Sequence, residues 1–169
     1  MENNTNTPFS CIYASFLSKL TDDMYMELDE AQTYKLLEEL LLSAIQKFEF
    51  PRFDITNYEI SHLDNEEGED GGSRFNVVLT QEEINIIATY MVEEWLGQQL
   101  ASVENVRMKY SGSDFKFTSQ ANHMAKILNL KQAYEREGFH LQRLYKRRKR
   151  DKDGIMKSTF GSIMNGSVK

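Results

Sequence analysis

From Thr118 to Arg150 no proline interrupts a stretch in which Ile127, Leu130, Tyr134, Leu141, Leu144 and Tyr145 return at helical spacing, and it ends in the basic cluster Lys146–Arg150. The spacing predicts one continuous helix, about 50 Å long at about 1.5 Å per residue. A chain of 169 residues needs no helix of that length for its own core, so part of its surface is offered to something outside the domain. The chain reads first as a component of an assembly. A coiled coil is excluded, because Glu137 stands at the heptad position between Leu130 and Leu144. The order also differs from a leucine-zipper factor, whose basic region precedes the zipper.

The rest of the chain predicts a mainly α protein, a helical bundle with one small β-hairpin. Ser10 is placed to cap a helix whose apolar stripe is Phe9, Ile12, Tyr13, Phe16, Leu17 and Leu20. Asp29 and Gln32 resemble a capping box for a second helix. Its core face is Tyr34, Leu37, Leu41, Ala44, Ile45 and Phe48, and Pro51 forces its end. Tyr58 and Ile60 alternate on one hairpin arm, and Phe75, Val77 and Leu79 on the other. The hairpin spans about residues 57–79, with an acidic, glycine-rich loop at 63–73. Thr80 and Glu83 form a second capping box, opening a helix with the wide stripe Ile84, Ile87, Ala88, Met91, Val92 and Trp95. That helix runs to about Ala101 or on through Val106, and Ser111–Asp114 reads as a turn before the final helix. Residues 1–150 then form a single domain, and 151–169 a flexible C-terminal tail with scattered apolar residues.

Charge divides the chain. Residues 1–75 hold 16 acids and 5 bases, whereas residues 76–169 hold 10 acids and 15 bases. Two solvated faces would account for this. So would contact between unlike surfaces of identical copies, or a basic end turned toward nucleic acid. Within Arg136–Lys152 the count is 8 bases to 2 acids. Such density can neutralise phosphates in a sequence-blind way, while cations at a helix C-terminus also complement its dipole.

Catalytic chemistry finds little support. His62, His123 and His140 lie far apart, and Glu137 with His140 supplies one Glu-x-x-His where a di-iron bundle needs two plus further carboxylates. No phosphate-binding glycine motif occurs. Cys11, beside Ile12, reads as a small buried side chain and has no partner for a disulfide. The acidic loop lacks the ligand spacing of a calcium loop. No catalytic residue, metal or cofactor is expected. No apolar run reaches the roughly 18 residues of a membrane span. The polar, acidic start lacks the basic region of a secretory signal.

The segments LTQEEINIIATYMVEEWLGQQL, RMKYSGSDFKFTSQANHMAKILNL and LYKRRKR, with AIQKFEFPRF before them, cover most of Leu37–Arg150. Together they resemble the head–tail connector proteins of tailed bacteriophages, also called neck or adaptor proteins. That resemblance implies a non-enzymatic virion protein, made in the host cytoplasm. It would form a ring, twelvefold by the same resemblance, that joins the portal protein to the tail or a second neck ring and surrounds the DNA channel. On that reading Arg143, Lys146, Arg147, Arg148, Lys149 and Arg150 face passing DNA or an acidic neighbour. Ile155, Met156, Phe160, Ile163 and Met164 supply a tail that docks in the portal. A small DNA-binding regulator using the basic helix end is the competing expectation.

Overall fold

The computed structural model describes residues 6–20, 30–61, 72–109, 117–150 and 156–158. Its elements are β1 (Thr7–Pro8), α1 (Phe9–Leu17), α2 (Glu30–Ile45), β2 (Tyr58–Glu59), β3 (Arg74–Phe75), α3 (Gln81–Lys109), α4 (Phe117–Arg147), β4 (Arg148–Arg150) and β5 (Met156–Ser158). The class is the one the sequence predicts: mainly helical, with a long C-terminal helix and a small antiparallel sheet.

The centre is α3, and α1, α2 and α4 each pack on it. From Glu83 to Leu96 every residue except Asn85 and Glu94 is buried, so this helix reads apolar nearly all round. Phe9, Ile12, Tyr13 and Phe16 face it from α1, and Leu37, Leu40, Leu41, Ala44 and Ile45 from α2. The sheet closes one end of this core. Phe9 stacks against Phe75 at 4.8 Å between ring centres, and Tyr58 completes an aromatic cluster around them. Among the described side chains of α3 and α4, those between Leu96 and Ile127 add nothing to this core. At about 1.5 Å per residue the two helices measure about 44 and 46 Å.

Several details differ from the sequence reading. The hairpin gains a third strand: Thr7 and Pro8 pair with Phe75 and Arg74, giving the order β1-β3-β2. Pro8, which lacks an N–H, lies in an outer strand and also caps α1, so Ser10 is inside the helix rather than its cap. Cys11 is exposed, because the buried stripe of α1 runs through Phe9, Ile12, Tyr13 and Phe16 on the other side. The regular turns of α2 stop at Ile45, and the chain reaches Phe48 through tighter bonds from Lys47 N to Ala44 O and from Phe48 N to Ile45 O. On α4, Leu130 is 48% exposed, since the side packed on α3 runs through Ile127, Tyr134, Leu141 and Tyr145. The final helix ends at Arg147 instead of Arg150, and Arg148–Arg150 turn into a strand paired with Met156–Ser158. Asp29, the loop residues 63–71 and the turn Ser111–Asp114 lie outside the described residues.

Candidate interaction surface at the basic end of the C-terminal helix

The end of α4 is held by a carboxylate with no solvent exposure. Glu83 sits in the first turn of α3, where the helix dipole favours negative charge. The capping box read from the sequence is formed: Glu83 N donates to Thr80 Oγ1 at 3.2 Å, and Thr80 N donates to Glu83 Oε2 at 2.6 Å. The same carboxylate does more than cap. Tyr145 OH donates to Glu83 Oε1 at 2.5 Å, and the Arg52 guanidinium lies 4.0 Å from Oε2. Burial, then the bond to Glu83 and its charge, raise the Tyr145 hydroxyl well above the usual tyrosine range. One turn earlier, Gln142 is buried; its Oε1 accepts from Glu49 N at 3.1 Å, and its Nε2 donates to Tyr90 OH at 2.6 Å. The loop 49–53 is thus clamped between the start of α3 and the end of α4.

Further along α4 a second polar cluster fixes the helix to the core. The buried carboxylate of Glu93 accepts from Lys47 at 2.8 Å and from Lys131 at 3.1 Å, and Lys47 also pairs with Glu94. Burial opposes the charge on Lys47, but the bonds and charges of Glu93 and Glu94 outweigh it and hold the ammonium above its ordinary value.

Outside these clamps lies a surface in which cations and apolar groups alternate. The Lys146 ammonium sits 3.7 Å from the centre of the Phe50 ring. The Arg52 guanidinium lies 4.4 Å from the centre of Phe53 and donates to Val78 O at 3.0 Å. Phe53 and Val78 are 48% and 46% exposed. Arg143, Lys146 and Arg147 are exposed on the last turns of α4, and Arg148 pairs with Glu82 at 2.7 Å. This arrangement suits an anionic partner that also brings apolar contact.

Of the residues singled out in the sequence, Arg143, Lys146 and Arg147 share the helix end, while Arg148, Lys149 and Arg150 form β4. Met156 stands opposite Arg150 in β5, so this part of the C-terminal segment turns back on the basic cluster. Ile155, Phe160, Ile163 and Met164 lie outside the described residues. The sequence reading did not connect Phe50, Arg52, Phe53 and Val78 with this end. The available signal was Phe48–Phe53, where aromatics and an arginine flank Pro51. His123, Glu137 and His140 are exposed, and among the described residues no group of three His, Cys, Asp or Glu could hold a metal ion. No helix among them is long and apolar enough to cross a membrane. Compared with known proteins, the chain matches no family model, no curated protein and no solved structure.

Proposed function

We propose that this chain is a structural virion protein of a tailed bacteriophage, an adaptor that assembles as a ring at the head–tail junction. The ring joins the portal to the tail or the next neck ring and surrounds the DNA channel; the protein is not an enzyme. The observation that carries this reading is the paired length of α3 and α4, 29 and 31 residues. Leu128, Leu130 and Phe139 are exposed on α4, and its end is basic. A pair of helices this long exceeds what a core of this size needs, and a ring subunit can use the excess to reach its neighbours. The resemblance of the same segments to connector proteins supports the reading. The apolar residues after Arg150, Ile155 to Met164, would dock in the portal.

The test is the composition of purified virions. The chain is expected as a fixed-copy component released together with portal protein when particles are dissociated; its absence from complete particles defeats the reading. A second reading, a DNA-binding regulator, is favoured by the exposed Arg143, Lys146 and Arg147. It requires sequence-selective binding by the free protein, about a thousandfold or more above non-specific binding.

A further inference from the structure

We infer that the surface formed by Arg52, Phe53, Val78, Arg143 and Lys146 is the docking site for the acidic segment 64–70 of a second copy of this chain. The inference deepens the ring reading and rests on it. Closed rings are built from heterologous contacts, in which two unlike surfaces of one subunit meet on its neighbours. This chain carries a cationic surface and, in its sequence, a segment of opposite charge.

The docking surface has the composition of a protein interface more than of a phosphate groove. Phe53 and Val78 are about half exposed and are tied together by Arg52, which stacks on one and donates to the carbonyl of the other. Exposed aromatic and arginine side chains in one patch are the groups that anchor protein partners, and a sugar–phosphate backbone has no use for Val78. The cations are also held in place, Arg52 by two contacts and Lys146 by the Phe50 ring, which lowers the cost of ordering them on binding. Arg52 has the buried Glu83 carboxylate 4.0 Å away. Arg148, Lys47 and Lys131 have carboxylate partners, but no carboxylate lies within ion-pair distance of Arg143 or Lys146 among the described residues.

The occupant follows from charge. Asp64, Glu66, Glu67, Glu69 and Asp70 stand within seven residues that contain no base. Val78 follows Ser73, the root of this segment, after β3 and the bend at Asn76–Val77. Ser73 is anchored at the start of the central strand, its carbonyl accepting from Phe9 N and its Oγ from Ser61 N.

The experiment uses two full-length charge-reversed proteins. One carries Arg143→Glu with Lys146→Glu; the other carries Glu67→Lys with Glu69→Lys. Sedimentation of the wild type at millimolar protein and low salt should show self-association that weakens as salt rises. Each variant alone should associate at least about tenfold more weakly, because like charges then face each other. Mixed, the two should associate again, since each variant restores the complement of the other. Circular dichroism of each variant checks that both remain folded. A wild type that stays monomeric overturns the inference, as does a mixture that stays dissociated, which is also the result if the segment binds its own chain. Loss of duplex DNA binding in the first variant, with self-association unchanged, would assign the surface to nucleic acid instead. The test needs no particles, so it can fail while the protein is found in virions, or succeed while it is absent from them.

Discussion

Replacing Gly138 by alanine should destabilise this protein, although the same change in an ordinary helix stabilises it. Gly138 is buried in the middle of α4. On helix propensity alone the substitution gains about 1 kcal/mol. A Cβ built there, however, lies 2.6 Å from Tyr90 Cε1 and 2.9 Å from Cζ, inside any real contact distance. The Tyr90 ring cannot easily swing aside: it is 2% exposed, and its hydroxyl is held by Gln142, which also holds Glu49 N. Overpacking of this kind costs about 1–3 kcal/mol, and loss of the Tyr90–Gln142 bond about 1 kcal/mol more. The net expectation is a loss of about 1–3 kcal/mol. At about 2–4 °C per kcal/mol for a chain of this size, the melting temperature should fall by several degrees. Urea unfolding should show a lower midpoint at unchanged slope. In a Tyr90→Leu background, where the ring is gone, the same Gly138→Ala change should become neutral or stabilising. A Gly138→Ala protein as stable as the wild type would refute the close approach of α4 to α3 at this point.

Gly97→Ala should act in the opposite direction, raising stability by up to about 1 kcal/mol, because its Cβ would meet only Lys131 Cε at an ordinary 3.5 Å; thermal unfolding decides it. Tyr145→Phe should cost about 1.5–3 kcal/mol by urea denaturation, since it removes a hydrogen bond to the buried Glu83 carboxylate. Burial, then the charges of Glu93 and Glu49, raise the Tyr90 hydroxyl to about 12, and Tyr145 is raised as well. The native state then holds more protons than the unfolded chain above about pH 10, so stability should be full below that pH and fall as pH rises further. Lys47, raised by Glu93 and Glu94 against its burial, contributes in the same sense. Phenolate absorbance should show two of the eight tyrosines ionising late, together with unfolding. Trp95 is 7% exposed, and its indole N–H has no acceptor among the described residues. Trp95→Ala should therefore cost about 3–5 kcal/mol by denaturation, with Trp95→Phe costing distinctly less.

The helices were legible because their signals are local. The stripe Ile84, Ile87, Ala88, Met91, Val92 and Trp95 is buried as read, and Thr80 with Glu83 forms the expected cap. What periodicity could not show was burial from several sides. Ile86, Tyr90 and Leu96 are equally buried, because three other helices surround α3. Strand β1 was hidden because two residues, one of them proline, carry no alternation, and their place depends on Phe75 almost seventy positions away. The candidate surface was half legible. The run Lys146–Arg150 is plain in one dimension, whereas the neighbours that define its chemistry come from residues 49–53 and 78–83, brought there by Glu83 and Gln142. Leu130 shows the converse: a helical repeat marks an apolar position without saying whether a partner reaches it.

The claim that this is a ring-forming connector is tested most directly by electron cryomicroscopy of virions from cells that express it. The account predicts a closed ring between portal and tail, with the α3–α4 arm of each subunit beside its neighbour and the DNA channel running through the centre. Complete, infectious particles that assemble without this chain, with no density for it at the junction, would contradict the account.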